Sequence, residues 1–167
     1  MKLSTKGRYG LRAMLDVAIY SEQEPVSIRS IAEREDLSEA YLEQLMPKMR
    51  KSGLIESQRG AQGGYRLARP AEEISVGDIL RALEGELDAV SCPGLHSGNE
   101  QESCADADVC VTKYVWQRIN DSIRQTVDDI SLSTLVEQSH QVQENIGGET
   151  ERGEHLPAEH RRACCSA

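Results

Sequence analysis

Phenylalanine is absent from this 167-residue chain, tryptophan occurs once and tyrosine five times. A core must therefore be built from Leu, Ile, Val, Met and Ala. Those residues suit packed helices better than a β-sandwich, whose strands draw on aromatic and β-branched side chains. Long hydrophobic runs are missing as well. Nothing approaches the ~20 apolar residues that cross a bilayer, and the opening Met1-Lys2-Leu3-Ser4-Thr5-Lys6 turns polar at once, unlike a secretory signal. The expectation is a soluble, cytoplasmic protein with no membrane partner. The constellations of catalysis are also lacking: no nucleophile–base pair and no paired carboxylates stand out. The Gly-rich run Gly60-Ala61-Gln62-Gly63-Gly64 does not lie between a strand and a helix, as a phosphate cradle does. The sequence therefore argues against an enzyme.

What is present is a chain long enough for one domain with an appendage, able to bury about two-thirds of its unfolded surface without staples. The net charge of −9 argues against a nucleic-acid partner only until the two halves are taken apart. Residues 1–70 hold 12 Lys/Arg against 9 Asp/Glu, whereas residues 71–167 hold 7 against 19. A basic module is carried by an acidic body, and a polyanion responds to the local sign.

The hydrophobic spacing orders that module. Leu11, Met14, Leu15, Ala18 and Ile19 form one stripe of a helix capped by Ser4 or Thr5. Ser27 caps a short second helix, with Val26 and Ile31 placed as a hydrophobic staple, and Ser38 caps a third, with Leu37 and Leu42 in the same relation. The tight Glu35-Asp36-Leu37 connection makes these two a helix-turn-helix. The third helix, from Glu39 to Lys51, buries Leu42, Leu45, Met46 and Met49; Pro47 lies inside it and Gly53 stops it. Two short strands, Leu54 to Arg59 and Tyr65 to Ala68, flank the Gly-rich turn as a wing. Ser75 and Asp78 make a capping box for a fourth helix that turns Val76, Ile79, Leu80 and Leu83 inward and ends at Gly85.

Between Ala89 and Cys110 periodicity vanishes. After Val111-Thr112 comes the longest expected helix, with Trp116, Ile119, Ile123, Val127 and Ile130 along one edge, an edge expected to pack on a second copy. A short helix from Leu132 to His140 follows. The expected divisions are a winged helix-turn-helix domain over 1–86, a cysteine-bearing sensor loop over 87–111, the long dimerisation helix with the short helix over 112–142, and a disordered tail over 143–167. Cys164 and Cys165, with His155 and His160 upstream, fall in that tail and are read as having no fixed role.

The outer face of the third helix carries base-reading chemistry. Gln44 can pair in bidentate fashion with adenine, Glu43 can accept from a cytosine amine, and Tyr41 can reach phosphate. Lys48, Arg50 and Lys51 stand where phosphates would pass. Arg59 at the wing tip can enter a minor groove, and Gly60 lets backbone approach the duplex. The succession of three helices and a hairpin, with caps and charges in agreement, points to double-stranded promoter DNA as the partner. Cys92, Cys104 and Cys110 are spaced x11 and x5 in a loop. Such thiolates could hold an iron–sulfur cluster, and equally could be unrelated buried thiols.

Leu3-Ser4-Thr5-Lys6-Gly7-Arg8-Tyr9, Tyr41-Leu42-Glu43-Gln44-Leu45, Arg59-Gly60-Ala61-Gln62-Gly63-Gly64-Tyr65 and Val76-Gly77-Asp78-Ile79 resemble the Rrf-type family of bacterial winged helix-turn-helix transcriptional regulators, above all its iron–sulfur branch. The resemblance covers about residues 1–140. It implies a mostly α fold, a homodimer joined by the long C-terminal helix, and a repressor whose operator binding follows the state of a cluster of 2Fe-2S type on Cys92, Cys104 and Cys110. It further implies base contacts at Glu43, Gln44 and Arg59. Two departures stand out. The first two cysteines are further apart than the family's usual spacing. Lys113 occupies the place where a fourth ligand, a histidine, is implied, and Arg8 cannot replace the acidic ligand of the nitric-oxide-sensing relatives. His96 is the local candidate, with Asp106 or Asp108 behind it, or an exogenous thiol or water. The same resemblance implies an alternative, a metal-free regulator controlled by a sulfur-metabolism enzyme or by thiol oxidation.

Overall fold

Serine hydroxyls start four of the helices. In the computed structural model, which describes residues 4–60, 62–90 and 109–150, helix α1 spans Thr5–Tyr20, α2 Ile28–Glu35, α3 Glu39–Lys51 and α4 Val76–Glu84. Ser4, Ser27, Ser38 and Ser75 each accept an N–H of the first turn. Each cap satisfies a donor that the helix itself leaves open, and each contributes about 1 kcal/mol. The α4 cap is the reciprocal box expected, with the Asp78 carboxylate returning to the Ser75 N–H. Between α2 and α3 the chain reverses at Asp36, whose φ of 53° is left-handed, a conformation that aspartate tolerates better than most residues. α3 ends against Gly53 at φ 70°.

The wing follows as β1, Ile55–Gln58, and β2, Gly64–Leu67, paired antiparallel with Ile55 opposite Leu67 and Gln58 opposite Gly64. It is shorter than the periodicity suggests: Leu54 and Ala68 fall outside the ladder, though the Ala68 N–H still donates to the Leu54 carbonyl at 3.1 Å. Backbone hydrogen bonds fasten the hairpin to the helical body at Val26. Val26 and Tyr65 exchange two backbone hydrogen bonds of 2.8 Å, which makes Val26 a single-residue third strand. A Cβ on Gly64 would stand 2.5 Å from the Val26 carbonyl oxygen, so this approach requires glycine.

The core takes Met14 and Val17 from α1, Ile31 from α2, the four expected residues Leu42, Leu45, Met46 and Met49 from α3, and Ile79 from α4, all at most 1% exposed. On α1 the fully buried line runs through Gly7, Gly10, Ala13, Met14 and Val17, while Leu11, Leu15, Ala18 and Ile19 of the expected stripe are only half-buried. The helix is rotated because small residues let it approach α4: a Cβ at Gly10 would run into the Leu83 side chain.

Helices α5, Val111–Asp128, and α6, Leu132–Thr150, complete the chain. Two expectations are corrected here. The C-terminal helix is not short: it runs 19 residues against 18 for α5, so 143–150, expected as tail, is helical. Neither an apolar stripe nor local propensity announces this extension, which runs through Asn145 and past Gly147-Gly148. The apolar edge of α5 is also not reserved for a second copy. Ile123, Val127 and Ile130 pack within the chain against Val76, Leu80 and Leu87. The α5–α6 turn is laced to the segment before α4 by the Val76 N–H to the Ile130 carbonyl, 2.9 Å, and the Leu132 N–H to the Ile74 carbonyl, 2.7 Å. Leu132 is fully buried in the main core. Cys92, Cys104, His96, Asp106, Asp108 and the tail cysteines lie outside the described residues.

Candidate nucleic-acid interface

Because α3 puts its apolar residues on one side, its polar residues are forced outward together. Glu43, Gln44, Lys48, Arg50 and Lys51 are all exposed, as are Arg59 and Gly60 on the wing. Among the described residues, Glu43, Gln44, Lys48, Lys51 and Arg59 have no side-chain hydrogen bond or ion pair. A set of donors and acceptors held on rigid elements and left without internal partners is what groove reading requires.

Arg50 and Tyr41 are placed differently. The Arg50 guanidinium donates to the Ser57 hydroxyl on β1 at 3.1 Å, tying the recognition helix to the wing. Tyr41 is half-buried: its ring meets Tyr9 edge-on at 5.8 Å between centroids, and its phenol is 3.4 Å from the Thr5 hydroxyl. It braces α3 on α1 and leaves only an edge for phosphate. At the tip, Gly60 adopts φ 127°, which excludes ordinary side chains, and its carbonyl accepts the Gly63 N–H at 3.0 Å. Glu56 and Arg66 pair across the strands at 2.8 Å.

The rigidity behind this face comes from charges that periodicity does not reveal. Asp16, only 2% exposed, receives two hydrogen bonds from Arg34 at 2.6 and 2.8 Å, a bidentate clamp between α1 and α2. The bond to Asp16 outweighs the burial of the guanidinium and holds Arg34 above its ordinary pKa. Its Cζ lies 4.2 Å from the Tyr20 ring centroid. Glu84, the last residue of α4, caps α1 from a distance: one carboxylate oxygen accepts from the Ser4 N–H, the Ser4 hydroxyl and the Gly7 N–H at 3.0, 2.6 and 2.9 Å. Burial pushes the Glu84 carboxyl up, but these bonds prevail and hold it below the usual carboxylate range. Asp78 behaves alike: burial is outweighed by the Ser75 N–H, by Arg81 and by the charge of Arg69. Arg81 in turn reaches Asp128 on α5 at 2.6 Å, so α4 joins the reading head to the long helix. No sequence signal marks Asp16 or Glu84, since a carboxylate that will be buried and paired looks like one that will be solvated.

Of the three candidate ligand cysteines, Cys110 is described. It is half-buried at the N-cap of α5, its sulfur 3.2 Å from the Thr112 hydroxyl. Among the described residues no three His, Cys, Asp or Glu side chains gather as a metal requires, and no helix is long and apolar enough to cross a membrane.

Three helices, a hairpin pinned beside the second element of a helix-turn-helix, and a free polar face on its recognition helix define a winged helix-turn-helix DNA-binding protein. The family model described as Rrf2, iron-dependent transcriptional regulator, matches residues 3–138. The chain belongs to the Rrf2 family. The HTH-type transcriptional regulator IscR of Pectobacterium atrosepticum is 43% identical over 136 residues, 81% of this chain and 79% of that protein. The solved structure of T. potens IscR superposes with a TM-score of 0.66 at 44% identity, covering 86% of this chain and 91% of that one. CymR, described as the global cysteine regulator of B. subtilis, gives 0.66 at 38% identity over 83% of this chain and 98% of its own. The protein is a DNA-binding transcriptional regulator and not an enzyme.

Proposed function

We propose that the protein represses transcription as a homodimer whose operator binding is governed by an iron–sulfur cluster, of 2Fe-2S type, on Cys92, Cys104 and Cys110. The carrying observation is the uncommitted polar face of α3 beside the wing. Gln44 and Glu43 read base edges, Arg59 enters the minor groove with Gly60 allowing close approach, and Lys48, Lys51, Arg50 and the edge of Tyr41 meet phosphate. The N-terminal half of α5 supplies the dimer surface: Val111, Tyr114, Val115 and Ile119 are 78, 68, 53 and 37% exposed in the single chain.

The donor chemistry fits a cluster. Cys110 offers a soft sulfur at the N-terminal, positive end of an 18-residue helix, where the negative charge of a thiolate-ligated cluster is favoured. The family description as iron-dependent and the likeness to proteins named IscR support it. When bound, the cluster supplies a centre that changes charge or is lost on meeting oxidant, nitric oxide or iron shortage. The chain's own part is to tie Cys110 to α5 and α5 to the reading head through Asp128 and Arg81. By linkage, a cluster that favours the operator-competent dimer is itself held better by that dimer. Anaerobically reconstituted and apo protein, compared on promoter DNA, test the proposal. Different affinity or site preference is expected, and equal binding by both forms would remove the switch while leaving the DNA binder.

A second reading is a metal-free regulator answering to a sulfur-metabolism enzyme; the likeness to CymR, described as a global cysteine regulator, supports the link to sulfur alone. Colourless protein without iron or sulfide after anaerobic purification would select it.

A further inference from the structure

Gly77 stands in the first turn of α4, where glycine makes a weaker helix than alanine. It is buried, and the Asp128 carboxylate from the end of α5 lies over it: a Cβ at Gly77 would run into that group. The same carboxylate receives the Arg81 guanidinium in bidentate fashion, at 2.6 and 3.2 Å, and the Ser75 hydroxyl stands 3.5 Å from it. The Arg81 and Asp128 side chains are 40 and 43% exposed. An ion pair so open to water adds little stability, but a two-point fork is directional. Glycine thus weakens α4 for a contact that orients more than it strengthens.

The far end of α4 is held as well. Asn120 of α5, only 3% exposed, accepts the Ala89 N–H through its side-chain oxygen at 2.9 Å. One turn further, Arg124 donates to the Asp88 carboxylate at 2.6 Å. α5 therefore runs back along α4 with polar contacts at both ends, and Ile123 and Val127 meet Val76, Leu80 and Leu87 between them. Apolar attraction is non-directional, whereas the fastenings at the two ends are point contacts that single out one crossing angle.

We infer that Asp128, seated on Gly77 and gripped by Arg81, is a positioning residue that fixes the angle between the reading head and α5 and so sets the half-site spacing the protein reads. The inference rests on the homodimer of the proposed function, with α5 as its shared element. One added base pair moves the second half-site by about 3.4 Å and turns it by about 35°. A head held at one angle to the shared helix rejects that displacement, and a loosened head follows it.

The test uses full-length protein and duplexes selected from random DNA by the wild type. These are rebuilt with the half-site distance changed by one and two base pairs, and a further duplex carries a single half-site. Wild type should lose about tenfold or more in affinity per base pair of misfit, because the two heads then cannot engage together. Gly77→Ala, which displaces the carboxylate, should cut that discrimination by about threefold or more. Its thermal midpoint should change little, since the better helix former offsets the lost pair. Asp128→Ala, a change at a half-exposed side chain, gives the same readouts if Gly77→Ala fails to fold. In both variants, affinity for the single half-site should stay within about twofold and the sedimenting species should stay dimeric, because α3, the wing and the first half of α5 are untouched. A loss equal on every spacing and on the single half-site would overturn the inference and leave Asp128 a support of the reading head. A wild-type dimer with a sharp spacing preference that the variants keep would also overturn it, with the proposed function intact. A wild type that sediments as a monomer would instead defeat the homodimer of the proposed function, and the inference with it.

Discussion

Among the described residues, α3 and the first half of α5 each leave a face uncovered, and the chemistry of the two faces is opposite. On α3 the uncovered groups are charged and polar; on the first half of α5 they are valines, a tyrosine and an isoleucine. Exposed Gln44 or Lys51 is well solvated, so that face is stable without a ligand and is free to bind and release one. Exposed Val111, Val115 and Ile119 carry a standing cost near ~25 cal/mol per Å2 of apolar surface. That face is expected to be covered at all times. Under the proposed function, the difference would separate a regulated interface from a constitutive one, both held by the same four-helix body.

The severest way to disturb the comparison is to loosen that body. Arg34→Ala leaves the Asp16 carboxylate buried without its partner, which should cost about 3–5 kcal/mol of folding free energy in urea denaturation. A loss under about 1 kcal/mol would show that the clamp is dispensable. Next in size, Val115→Asp sets a charge in the α5 face and should weaken self-association by about 2 kcal/mol or more in analytical ultracentrifugation, with little change in monomer stability. Unchanged association would move the dimer surface elsewhere. On the polar face, Arg59→Ala should cost about 1–3 kcal/mol of operator affinity and relax discrimination near the wing. Lys51→Ala should instead weaken all sequences alike and flatten the salt dependence. Smallest is Glu84→Gln, expected to cost about 1–2 kcal/mol at neutral pH. Because the folded carboxyl titrates below its ordinary range, its stabilisation is complete above the unfolded value, near 4.3, and fades as pH falls through the folded one. The gap between wild type and variant should therefore close in acid. A constant gap would assign the loss to packing.

Much of the reading head was legible before any coordinates. The Ser27 and Ser38 caps, the staples behind them and the i, i+3, i+4 run of Leu42, Leu45 and Met46 are local features, and local features survive into the fold. The polar set on α3 followed because a helix with one buried side must display the other. The extent of α6 escaped, since its later turns lack an apolar stripe. Val26 as a lone strand residue escaped because one residue has no period. Asn120 left a faint trace, a polar residue on an otherwise apolar edge.

The sequence alone determined the order of elements, their caps, the sign of each region and the polar face that α3 displays, all consequences of backbone geometry and of neighbours within a few positions. Only the tertiary structure decided that Glu84 caps α1, that Arg34 clamps Asp16, that half of α5 belongs to its own chain and that Asn120 grips Ala89. These pairings join residues far apart in the chain. Their strength depends on distance and burial in space, which no local pattern of side chains encodes.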